Sequence, residues 1–170
     1  AITKLAHIHF PATEKAKDNV IRMGEDPEKV FLTGCPAIDI VADLDLTAPD
    51  DLLIRYKGVG PDLDIHKPYL VVLQHPVTTE YGSGFDQINE TLEAIKSIRM
   101  QTIWLWPNVD AGSDSISKGL RMFRENEKPD YAHFYRHFSV EDYARLIANC
   151  ACLVGNSSSA IREGSFLGVP

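Results

Sequence analysis

Tyr69-Leu70-Val71-Val72-Leu73 is an unbroken apolar, β-prone run, hydrophobic at both of its period-two positions. A strand of that kind must be covered on both sides, which points to the interior of a parallel sheet rather than to a half-solvated antiparallel one. The flanking sequence agrees. Ile88, Leu92, Ile95 and Ile98 recur at helical spacing within 85–100, and a second strand-like run over 102–106 follows directly. The alternation then repeats. Ile116, Leu120 and Phe123 mark a helix over 113–127 before a strand over 131–135, and Val140, Tyr143, Ala144 and Ile147 mark a helix over 139–149 before a strand over 151–154. Ser139 and Asp142 have the spacing of a capping box. Strands and helices in strict series imply right-handed crossovers, hence an α/β fold with a parallel sheet and helices on both faces.

The remainder is less regular. Residues 7–12 read as a short strand, and Thr13 offers an N-cap to a helix with Ala16, Val20 and Met23 on one face and Gly24 at its end. Residues 30–33 read as another short strand, and 37–44 as helical. The polar stretch 45–67, with Pro49, Gly58, Gly60 and Pro61, reads as a peripheral connection containing a short helix over 50–56.

Composition narrows the function. A chain of 170 residues that is 44% hydrophobic can bury a real core. Its apolar runs are too short to span a bilayer and its N-terminus lacks a signal pattern, so a soluble cytoplasmic protein without a membrane partner is expected. The net charge of −7 argues against the broad basic surface that nucleic acid requires, whereas an anionic small molecule needs only a local positive field. Cys35, Cys150 and Cys152 are odd in number and lack paired metal spacing. They read as reduced core thiols, and neither a metal nor a cofactor is expected.

In open α/β sheets ligands bind beyond the carboxyl ends of the strands. That leaves four loops, at 74–79, 107–113, 136–139 and 155–163, each rich in polar side chains. The last joins a strand end to a helix start. Its free backbone N–H groups and small side chains, Ser157 and Ser158 among them, suit a phosphate and suit equally an ordinary serine-capped loop. His75, held by Pro76, is placed for a phosphate contact or proton transfer, or is a surface imidazole. Glu163 can accept hydrogen bonds from a ribose or sit there as a favourable charge near a helix N-terminus. Arg162 beside it pairs with phosphate or is simply solvated. Phe138 can wall a base pocket or belong to the core, and Asn108, Asp110 and Ser113 are also readable as helix caps.

Gln74-His75-Pro76-Val77-Thr78-Thr79, Trp106-Pro107-Asn108-Val109-Asp110-Ala111-Gly112-Ser113 and Gly155-Asn156-Ser157-Ser158-Ser159-Ala160-Ile161-Arg162-Glu163 together resemble the hydrolysing UDP-N-acetylglucosamine 2-epimerases. Residues 1–13 and 24–37 resemble the family's domain-crossing region. The resemblance implies a two-domain, glycosyltransferase B type architecture with a sugar nucleotide between Rossmann-like halves, of which this chain is the second. It implies that residues 1–12 end the N-terminal domain or form the crossing segment, and that 13–170 are a nucleotide-binding Rossmann-like domain, incomplete at its end.

By the same resemblance Ser157 and Ser158 hold the diphosphate of a UDP-sugar, Glu163 the ribose and the Phe138 loop the uracil. His75, taken as the catalytic residue of this half, and Asn108 line the phosphate side of the cleft. Such enzymes eliminate UDP to a glycal and hydrate it to the 2-epimeric sugar. The acidic groups that handle the C2 proton lie mainly in the first half, and a Gly-Thr-Arg-Gln-like segment usually follows the position of Pro170. The present chain alone is therefore expected to be inactive, and the full-length protein to be a homo-oligomer, dimer or tetramer. His75-Pro76-Val77-Thr78-Thr79 stands where non-hydrolysing relatives usually carry a His-Arg-Arg-Glu-Asn type run, which favours the hydrolysing branch. Residues 74–81 and 104–108 also resemble members acting on bacillosamine-type sugars in sialic or legionaminic acid synthesis. A glycosyltransferase of the same fold using a UDP-sugar donor, and a flavodoxin-like binding module, are the alternatives.

Overall fold

A five-stranded sheet organises residues 45–170 of the computed structural model, which describes residues 1–170 as two units, 1–44 and 45–170. Its strands are β1 (Gly58–Val59), β2 (Tyr69–Leu73), β3 (Gln101–Leu105), β4 (Ala132–Tyr135) and β5 (Cys152–Gly155), in the order β1-β4-β3-β2-β5. The last four are mutually parallel, with Leu70 opposite Thr102 on one side and Cys152 on the other. The sheet is nonetheless mixed. β1 pairs antiparallel with β4, a strand hidden by its two-residue length and by prolines and glycines around it.

Alternation along the strands divides the core in two. Leu70, Val72, Trp104 and Phe134 face α4 (Gly84–Ile98) and α5 (Ser113–Glu127), which bury Ile88, Leu92, Ile95, Ile116, Leu120 and Phe123. Tyr69, Val71, Ile103 and Tyr135 face α6 (Val140–Asn149) through Leu146 and Ile147. Each large apolar side chain so buried contributes about 1.5–3 kcal/mol. The expected cap on α6 is present, with Ser139 Oγ accepting from the Asp142 N–H at 3.1 Å.

The stretch at 45–67 is not merely peripheral. Leu52, Leu53 and Ile65 are buried in the second core layer, and only a 3-10 turn, Leu53–Arg55, forms where a short helix is expected. After β5 the chain is helical over 158–167, opening through a π-turn at Ala160–Gly164 into the short α7 (Ser165–Leu167). No helix is long and apolar enough to cross a membrane.

In residues 1–44, α1 (Ile2–Leu5) precedes α2 (Glu14–Arg22) and α3 (Pro36–Ala42). Thr13 caps α2 as expected, its Oγ1 accepting from the Ala16 N–H. The two strands expected over 7–12 and 30–33 reduce to a single parallel bridge, His9 to Val30. A lone pair of extended segments has too little to pack against to extend its ladder.

Candidate active site at the β2–β5 switch

β2 and β5 are adjacent, yet the chain leaves them on opposite faces of the sheet, to α4 from β2 and to the 158–167 helix from β5. This is the topological switch point at which open α/β sheets form a crevice. Gly155 makes it possible. Its φ is +142°, and a Cβ there would meet the Leu73 carbonyl oxygen at 1.9 Å, so only glycine fits.

One residue later, Asn156 binds the loop after β2 in both directions. Its Oδ1 accepts from the His75 N–H at 2.7 Å, and its Nδ2 donates to the His75 carbonyl at 2.9 Å. The Asn108 backbone N–H donates to His75 Nδ1 at 3.3 Å, joining the loop after β3 to the same cluster. A backbone N–H can only donate, so Nδ1 is an acceptor and neutral His75 carries its proton on Nε2. Burial pushes the imidazole pKa below its usual 6.5, against the opposing pull of Asp110, which keeps that neutral form at pH 7.

The loop after β5 carries the other expected residues. Ser158 Oγ accepts from the Arg162 guanidinium at 3.3 Å, and that guanidinium lies 3.8 Å from Glu163 Oε1. Glu163 Oε2 is buried with no partner, as is Gln74 Oε1 at the end of β2. Phe138 follows β4, two positions across the sheet from β2. Its half-buried ring packs edge-on against Tyr56, with centroids 4.6 Å apart, and tilted against Tyr135 at 4.9 Å.

His75, Asn108 and the unforeseen Asn156 thus form one cluster, Ser157, Ser158 and Glu163 follow on a single segment, and Phe138 stands in an aromatic group of its own. Nothing local marks Asn156, whose partner lies 81 residues away in sequence. No three His, Cys, Asp or Glu side chains gather in a metal-holding arrangement. A cavity of about 840 Å³ lies at the opposite, amino ends of the strands, against Lys67, Pro68, Asn149, Cys150 and Ala151. Burial raises the Cys150 thiol to about 11, so it is no nucleophile at neutral pH.

The sequence profile described as UDP-N-acetylglucosamine 2-epimerase matches residues 1–170. The chain belongs to the UDP-N-acetylglucosamine 2-epimerase family. Within it, the chain is 33% identical over 165 residues to the UDP-N,N'-diacetylbacillosamine 2-epimerase (hydrolyzing) of Legionella pneumophila, covering 97% of this chain and 42% of that protein. It is 34% identical to the polysialic acid biosynthesis protein P7 of Escherichia coli, covering 96% of this chain and 40% of that one. The chain therefore spans about two fifths of the length of these curated relatives.

Among solved structures, the Neisseria meningitidis UDP-GlcNAc 2-epimerase bound to UDP-GlcNAc superposes with a TM-score of 0.68 at 15% identity, over 99% of this chain and 44% of that one. Staphylococcus aureus MnaA with UDP gives 0.69 at 14% identity, over 99% and 42%. At such identities the likeness is one of fold, the glycosyltransferase B-like fold of the 2-epimerases.

Proposed function

We propose that this chain is the UDP-binding half of a hydrolysing UDP-sugar 2-epimerase, active as the longer protein, with the switch crevice as the nucleotide seat. The observation that carries this reading is the reciprocal His75–Asn156 pair, which makes one wall of two loops at the position where sheets of this topology take ligands. Ser157 and Ser158 hold the diphosphate, Glu163 the ribose and the Phe138 loop the uracil, while Asn108 completes the phosphate side. Residues 1–12 serve as the crossing segment, and the full-length protein is a homo-oligomer.

In the reaction, the bond between the anomeric carbon and the UDP oxygen breaks as the C2 proton leaves, giving UDP and a glycal. Water then returns a hydroxyl to C1 and a proton to C2 on the other face. His75 Nε2–H, with Nδ1 already engaged, donates to a diphosphate oxygen as its negative charge grows. The groups that exchange the C2 proton belong to the rest of the protein. The hydrolysing course is supported by the 75–79 sequence and by the likeness to the hydrolysing 2-epimerase of Legionella pneumophila.

Titration of the full-length protein with UDP, followed by NMR, should perturb Ser157, Ser158 and Glu163. Unperturbed signals at millimolar UDP would overturn the assignment. Product analysis tests the chemistry: release of UDP with free 2-epimeric sugar, and no acceptor present, is the expected result. A UDP-linked epimer would mean the non-hydrolysing reaction, and a requirement for an acceptor would mean glycosyl transfer.

A further inference from the structure

Beneath the loop after β5, three hydroxyl groups stand in line. Tyr143 Oη on α6 lies 2.8 Å from Ser159 Oγ, and Ser159 Oγ lies 3.0 Å from Ser157 Oγ. Ser159 is buried, and Tyr143 and Ser157 are half-buried. Each hydroxyl has one hydrogen to give, and a hydrogen buried without an acceptor is costly. Tyr143 Oη has Ser159 as its one hydrogen-bond partner, and with the phenol donating to it the hydroxyls run from Tyr143 towards Ser157. Ser159 then has only Ser157 left to receive its own hydrogen. Ser157 Oγ also accepts the Ser159 backbone N–H at 3.4 Å. Both acceptor positions of Ser157 are therefore occupied from within, and its own O–H is the one hydrogen of the chain with no internal acceptor.

Resting on the proposed UDP site, we infer that Tyr143 is a positioning residue for the nucleotide: acting through Ser159, it fixes Ser157 as an outward-pointing donor to a diphosphate oxygen. The direction of the chain matters more than its existence. If it ran the other way, Ser157 would offer its lone pairs to the crevice and repel the anion. Burial above all, with the Glu163 carboxylate nearby, holds the Tyr143 hydroxyl above its usual pKa. The phenol therefore stays protonated and remains the head of the relay at neutral pH. Neither Tyr143 nor Ser159 need touch the ligand, and in sequence Tyr143 reads only as part of the apolar face of a helix.

The test uses the full-length protein and two ligands, UDP and uridine, with affinities measured by calorimetry. Tyr143→Phe keeps the ring and removes only the hydroxyl. It should weaken UDP about 2- to 10-fold, the range of one net hydrogen bond, and leave uridine unchanged. Ser159→Ala should do the same. In a Ser157→Ala background, Tyr143→Phe should have no further effect on UDP, since the group it positions is gone. Equal loss of UDP and uridine in Tyr143→Phe would show a general packing role and overturn the relay, as would unchanged UDP affinity in that variant while Ser157→Ala is weakened. A wild-type protein that fails to bind UDP would overturn the nucleotide site and the relay with it.

Discussion

Around β2 and β5, His75, Asn108 and Asn156 bond through the backbone of neighbouring loops, and buried acceptors such as Glu163 Oε2 and Gln74 Oε1 remain unmatched. Where the first turn of α6 meets Tyr56 the polar groups close on one another. Asp142 accepts from Tyr56 Oη and from the Arg145 guanidinium, each at 2.7 Å, while Tyr56 Oη also accepts from the Ser139 N–H. Arg145 in turn donates to the Asp45 carbonyl. The difference separates the proposed ligand surface from a group of side chains that satisfy one another. Unmatched buried acceptors favour an arriving donor, whereas a closed set has nothing left to offer.

The contrast can be broken at its root by Gly155→Ala, the largest effect expected. Strain at a φ of +142° and the clash with the Leu73 carbonyl should cost at least about 3 kcal/mol, read as a lowered midpoint in urea. Next comes His75→Ala in the full-length enzyme, which should cut kcat about 100-fold or more while the melting temperature changes little. Wild-type turnover in that variant would remove His75 from the chemistry.

On the framework side, Asp142→Ala should destabilise by about 2 kcal/mol because it strips Tyr56 and Arg145 of their acceptor, and should weaken UDP less than Asn156→Ala does. If Asp142→Ala weakened UDP as much as Asn156→Ala does, the two regions would not be functionally distinct. For Asn156→Ala itself the expected loss is about 1 kcal/mol of stability together with weaker UDP binding.

The smallest effect is one of pH. The His75 pKa lies below 6.5 in the folded protein, so its contribution to stability is present above 6.5 and is lost as pH falls through the lowered value. Protonation would also displace the Asn108 N–H from Nδ1. His75→Gln should flatten this part of the stability profile, and an unaltered profile would show that the imidazole is not the titrating group.

What the sequence discloses here follows from range. β2 to β5 and α4 to α6 carry their own periodicity, so they could be read residue by residue, and the strand-end rule then places His75, Asn108 and Ser157 in loops at the sheet's carboxyl edge. β1 has two residues and acquires its identity only from β4. Leu52, Leu53 and Ile65 lie among charges and prolines, and their burial depends on a core assembled elsewhere in the chain. Asn156 and Tyr143 were invisible for a related reason. An asparagine in a Gly-Asn-Ser loop looks like turn chemistry, and a tyrosine on an apolar helical face looks like packing, until the hydroxyl or amide finds its distant partner.

The π-turn at Ala160–Gly164 bears on how such a site diversifies. A π-turn holds one residue more than an α-helical turn, and α-helical residues are spaced by about 100° around the axis. Because the wider turn absorbs its extra residue within about one revolution, deleting Ile161 would restore ordinary winding and leave Glu163 with nearly the same bearing relative to Ser157 and Ser158. Chain length within this one turn can therefore vary by a residue while the carboxylate and the serines keep their relative bearing, so the turn is a place where the helix can lengthen or shorten without redirecting the site.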